Sequence, residues 1–143
     1  MELILWRHAD AEDGADDMAR RLTRKGEKQA RAMAKWLRAH LPDEYTLLAS
    51  PAVRAQQTAA ALETKIVTDH ALAPGATPSA IIQAAQKHKG LIIVVGHQPD
   101  LGRTAAQLVA NARGEWSVQK GAIWWLEGAA PARVKAVVSP DLL

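Results

Sequence analysis

Short, unbroken apolar runs alternate along this chain with stretches whose apolar positions recur every three or four residues. Leu3 to Trp6 predicts a buried strand, and the acidic, Gly-containing segment Ala9 to Ala19 predicts a loop. Ala30, Met33, Ala34, Leu37 and Leu41 share helical spacing, so a helix is expected from a Thr23 cap to about His40, stopped by Pro42-Asp43. Leu47 to Ala49 predicts a second short strand. Ser50 as cap and Pro51 at the first helical position then predict a helix to about Leu62. Ile66-Val67 suits an edge strand, and Ala71 to Pro78 a loop. Ser79 would open a helix that turns Ile81, Ile82 and Ala85 inward. Leu91 to Val95 is continuous, β-branched and bounded by Gly90 and Gly96, the pattern of a central parallel strand covered on both faces. A helix from Pro99 to about Asn111 buries Leu101, Ala105, Leu108 and Val109. Ala122 to Leu126 and Val134 to Val138 then close the chain as a pair of strands, read as a hairpin. Strands alternating with helices predict a three-layer α/β domain spanning residues 1–143, with no linker or internal repeat.

Composition narrows the function. The 143 residues, 48% of them hydrophobic, are enough to bury a core. With no Cys, disulfides, thiolate metal sites and a Cys nucleophile are excluded. No secretory signal is visible and no apolar run nears the ~20 residues that span a bilayer, so a cytoplasmic protein without a membrane partner is expected. The net charge of +3 raises nucleic acid as a partner. The basic residues are dispersed, however, and aromatics are only 4%, which leaves no stacking platform; no nucleic acid is expected.

Three fragments fall at the C-terminal ends of predicted strands: Arg7-His8 after the first, Ser50-Pro51 with Arg54 after the second, and Gly96-His97 after the central one. Ligands of open α/β sheets bind at those ends. Singly, each fragment is best read as a surface cation or an incidental polar group. Together they suit a phosphate site, because an arginine fork holds two phosphate oxygens and keeps its charge. Imidazole is partly unprotonated near neutrality and forms a labile phosphoryl adduct, so His8 is the candidate nucleophile and His97 a second donor to the phosphoryl oxygens. His40, His70 and His88 are expected at the surface. Asp10, Glu12, Asp13, Asp16 and Asp17 could gather around Mg²⁺ or Ca²⁺, but they lack the fixed Gly and terminal Glu of an EF-hand loop. A solvated acidic loop is the preferred reading, so no metal and no cofactor is expected.

These fragments, extended by Leu22-Thr23-Arg24-Lys25-Gly26, Arg54-Ala55-Gln56-Gln57-Thr58 and Gly96-His97-Gln98-Pro99-Asp100-Leu101, resemble the histidine phosphatase superfamily in order and over nearly the whole chain. The resemblance implies a phosphoglycerate mutase-like α/β/α fold with a mostly parallel sheet. The short length and Arg21-Leu22-Thr23 look most like the SixA-type phosphohistidine phosphatases. By that likeness His8 would be phosphorylated. Arg7, Arg54 and His97 would form the phosphate pocket, and Arg21 would add a substrate contact. The implied partner is a phosphorylated protein, such as a phosphorelay histidine domain, acted on by a monomer. Two departures stand out. Ala9 replaces the usual Gly after the histidine. Ala71 to Gly90 carries no Asp or Glu, where larger members hold an acidic proton donor, and the chain has no room for a large cap. A phosphatase for small esters, with Asp10, Glu12 or water giving the proton, is the alternative enzyme. A non-catalytic phosphoprotein-binding module is the alternative outside enzymes.

Overall fold

Six strands form one sheet in the order β3-β2-β4-β1-β5-β6 in the structure, a computed structural model that describes residues 1–143. In chain order the elements are β1 (Glu2–Arg7), α1 (Arg24–His40), β2 (Thr46–Ala49), α2 (Val53–Ala60), β3 (Val67–Thr68), α3 (Pro78–Gln86), β4 (Leu91–Gly96), α4 (Asp100–Ala110), β5 (Ile123–Glu127) and β6 (Arg133–Val138). Strands β1 to β4 run parallel; β5 and β6 are antiparallel additions on the far side of β1.

The apolar strands have both faces covered because the side-chain period is two. Leu3, Leu5, Leu48, Ile92 and Val94 point to one layer, which α3 and α4 complete with Ile81, Ala85, Leu101, Ala105 and Leu108. Ile4, Trp6, Leu47, Ala49, Ile93 and Val95 point to the other, which α1 and α2 complete with Met33, Ala34, Leu37, Ala55 and Ala59. Each large side chain so buried contributes about 1.5–3 kcal/mol. No helix is long and apolar enough to cross a membrane.

Two helix starts differ from the sequence expectation. Helix α2 begins at Val53 behind Ala52, not at Pro51 behind a Ser50 cap. The Ser50 hydroxyl accepts from the backbone N–H of Ala52, two residues on, a local turn that competes with capping. Helix α3 begins at Pro78, one residue early. Thr77 caps it by accepting from Ala80 N–H, and proline sits where its missing N–H costs nothing. Ala84 takes an inner position in α3, while Ile82 is only half-buried. Thr23 caps α1 as expected, accepting from Gly26 N–H. Gly26 itself is required: a Cβ there would collide with the Asp10 carbonyl, so the acidic loop packs directly on the start of α1. The closing strands form the expected antiparallel pair.

Candidate active site

Strand β4 inserts between β2 and β1, so three strand ends lie side by side, with Ala49 opposite Val95 and Gly96 opposite Arg7. The ladder runs one residue further, His8 N–H donating to Gly96 O and Ser50 N–H to Val95 O. Sheet register thus brings Arg7, His8, Ser50 and His97 to one spot. Helix α2 adds Arg54 from its first turn.

His8, Arg54 and His97 are 8%, 4% and 4% exposed, which is unusual for charged or titratable side chains and demands partners. His8 Nδ1 lies 2.8 Å from the Ala9 carbonyl, which can only accept, so this nitrogen carries the proton. The other nitrogen, Nε2, carries the ring's one free lone pair, which accepts from Arg54 Nε at 3.3 Å. Arg54 also donates from NH2 to His97 Nδ1 at 3.3 Å, which leaves His97 Nε2–H to donate to Ser50 Oγ at 2.7 Å. The two imidazoles lie 5.2 Å apart between ring centres. Burial, helped by the charges of Arg54, Arg7 and Arg20, overrides the Ala9 hydrogen bond and lowers the His8 pKa to about 4. Burial, then the charges of His8 and Arg54, lowers that of His97 to about 3, with Asp17 opposing. Both rings are neutral at pH 7.

Arg7 completes the cluster. Its NH1 donates to the Val118 carbonyl at 2.9 Å, while its Nε is buried without a partner. A buried guanidinium donor left unsatisfied is costly and marks a place for an anion.

The supporting contacts come from α2. Thr58 Oγ1 accepts from Ala9 N–H at 3.0 Å and donates to Arg54 O, and Gln57 Oε1 accepts from Leu22 N–H. The run Arg54 to Thr58 therefore supplies one site side chain and two braces for the loops around it.

Arg21 is not brought together with these residues. Its side chain is exposed and makes no hydrogen bond or ion pair, whereas its neighbour Arg20 is half-buried and its charge reaches His8. A signal for this was present. On extended backbone, residues two apart share a side. Leu22 faces inward, so Arg20 points the same way and Arg21 points out. Asp17 was also missed as a site residue. Its carbonyl accepts from Arg54 NH1 at 2.6 Å, and its carboxylate meets Arg54 NH2 at 3.2 Å and Arg20 NH1 at 3.1 Å. Asp10 is committed elsewhere, to Lys120 Nζ at 2.9 Å and the Thr23 hydroxyl at 2.7 Å. Those two hydrogen bonds, Lys120 first, hold its carboxyl below the usual range. Asp10 and Asp17 are thus each tied to cations, and no group of three acidic or histidine residues comes together where a metal could be held. Asp100 is a buried acid close to His97 in sequence, but its carboxylate accepts from Gly75 and Ala76 N–H and ties that loop to α4.

The family model for the histidine phosphatase superfamily (branch 1) matches residues 3–74. The phosphohistidine phosphatase SixA of Escherichia coli is 31% identical over 76% of this chain and 74% of its own. An uncharacterized protein of Picosynechococcus is 32% identical over 99% and 93%. Among solved structures, SixA complexed with tungstate superposes with a TM-score of 0.83 at 26% identity, covering 99% of both chains.

Proposed function

The chain belongs to the histidine phosphatase superfamily, and from that membership we propose that it hydrolyses phosphohistidine on a protein through a covalent phosphohistidine intermediate on His8. Once Arg54 Nε–H turns from His8 to the phosphoryl oxygens, the freed Nε2 lone pair of His8 attacks phosphorus as the substrate's P–N bond breaks. The departing imidazole leaves neutral when its other nitrogen is already protonated. Water then attacks the phosphorus of the intermediate, releasing phosphate and restoring Nε2. Arg7 Nε, Arg54 and Arg20 spread positive charge around the equatorial oxygens, the main demand of phosphoryl transfer. A bound phosphoryl dianion also raises the pKa of His97, allowing Nδ1 to take a proton and donate it as a hydrogen bond.

One observation carries the choice of substrate: neither Asp17 nor Asp10 is free to protonate a leaving group. Asp17 is held ionised by its hydrogen bonds, first to Arg20, and Asp10 by Lys120 and Thr23. An alkoxide leaving group needs a general acid worth about 10²–10⁴-fold. An imidazole with a pKa near ~6.5 does not.

The test is a substrate panel. Phosphohistidine on a protein should turn over efficiently, aryl phosphates should slow steeply as phenol pKa rises, and sugar or serine phosphates should be very poor. Chelation by EDTA should leave turnover unchanged, and tungstate should inhibit competitively. A flat leaving-group dependence with strong alkyl phosphatase activity would replace this reading with a small-ester phosphatase. Binding without turnover would replace it with a phosphoprotein-binding module.

A further inference from the structure

Two guanidinium groups of this site already hold a carboxylate of the protein itself. The Asp17 carboxylate bridges two guanidinium groups, Arg54 NH2 at 3.2 Å from one oxygen and Arg20 NH1 at 3.1 Å from the other. A planar anion between two arginines is how a phosphoryl group would be held. His8, Arg54 and His97 are themselves buried, while Arg7 lines a polar pocket of about 370 Å³. Asp17 is nonetheless only lightly held. Its side chain is 56% exposed, and it sits at the start of a single 3₁₀ turn, Asp17–Ala19. Its backbone carbonyl stays anchored to Arg54 NH1 at 2.6 Å. The carboxylate can therefore swing off the guanidinium fork without leaving the mouth of the pocket.

We infer that Asp17 is a specificity-determining residue: its carboxylate competes with the phosphoryl group for the seat between Arg20 and Arg54 and, once displaced, favours substrates whose leaving group is cationic. A phosphoryl dianion outbids a carboxylate for two arginines. At the pocket mouth the displaced carboxylate faces whatever is bonded to phosphorus. A protonated nitrogen leaving group meets an opposite charge there, and a neutral or anionic one gains nothing or is repelled. The leaving-group half of this inference rests on the phosphohistidine reading; the competition half does not.

Asp17→Asn separates the two. Tungstate binding to the intact protein, followed by calorimetry, should tighten roughly two- to fivefold, the scale of a partly exposed ion pair. The ratio of kcat/KM for phosphoramidate, whose nitrogen is protonated near neutrality, to that for 4-nitrophenyl phosphate should fall by a similar factor. A purely structural role would weaken tungstate and depress both substrates together. Asp16→Asn, which removes a neighbouring carboxylate without an ion pair, should change neither readout. Unchanged or weaker tungstate binding in Asp17→Asn, with turnover intact, overturns the inference alone. A wild-type protein inert toward phosphoramidate overturns the proposed function together with the leaving-group half.

Discussion

The two ends of the parallel sheet differ in kind. At the N-terminal end lies an open cavity of about 520 Å³ of mixed lining, with Ile82, Ile92 and Leu108 beside Gln86, His88 and Gln107. At the C-terminal end His8, Arg54 and His97 are buried against one another, and Arg7 lines a smaller, polar pocket of about 370 Å³. The larger cavity and the clustered chemistry lie at opposite ends: the C-terminal end holds two histidines pushed well below their usual range and an arginine donor with no partner. Perturbed groups clustered at strand ends point to function more directly than void does.

The sharpest break of that comparison is His8→Ala. It should abolish turnover and phosphoenzyme formation while the fold persists. Brief substrate exposure of the wild type should label His8 with an acid-labile, base-stable phosphate, and label on another residue would end the assignment.

Next come the arginines. Arg7→Ala and Arg54→Ala should each lower kcat/KM by about 10²–10³-fold, the scale seen when a donor to transition-state charge is removed. Arg54→Lys should be impaired as well, since a point charge cannot serve His8, His97 and phosphate from one plane. Kinetics for the lysine variant within threefold of wild type would show that charge alone suffices.

Acid should distinguish the two ends through stability. His8 and His97 titrate near 4 and 3 in the fold and near ~6.5 unfolded, so the unfolded chain binds more protons between those values. Stability is full above about pH 6.5 and falls as pH drops toward 4, by up to about 1.4 kcal/mol per pH unit for each ring. Urea midpoints measured from pH 7 to 4 should show this, and His8→Asn should flatten the slope. An unchanged slope would mean that the ring is not buried neutral.

The smallest effect is expected at the other end. Gly90 has φ +79° with open space where a Cβ would go, so Gly90→Ala strains only the backbone. It should cost about 1 kcal/mol in stability and leave kcat/KM unchanged. A drop in activity would couple the two ends.

Much of the site was legible because its residues occupy strand ends, and strand ends are written in local hydrophobic pattern. Leu3 to Trp6 and Leu91 to Val95 announce buried parallel strands by composition, so Arg7-His8 and Gly96-His97 had to emerge on the same edge. Arg54 followed from the helix behind Ser50-Pro51, although the helix start was misjudged because the Ser50 hydroxyl serves a local turn and His97 instead. Arg20 and Asp17 were less legible. They lie in a segment with no period, and its path is set by contacts with distant residues: Gln57 holding Leu22, Gly26 admitting the Asp10 carbonyl, and Arg54 gripping Asp17. The amino-acid sequence alone determined the layered architecture and the four polar residues at its strand ends, since both follow from short-range periodicity. Only the tertiary structure decided which histidine nitrogen faces the site, that both rings are neutral, and that the Asp17 carboxylate sits against Arg54 and Arg20. Those properties depend on burial and on hydrogen bonds between residues about forty positions apart, which no local pattern encodes.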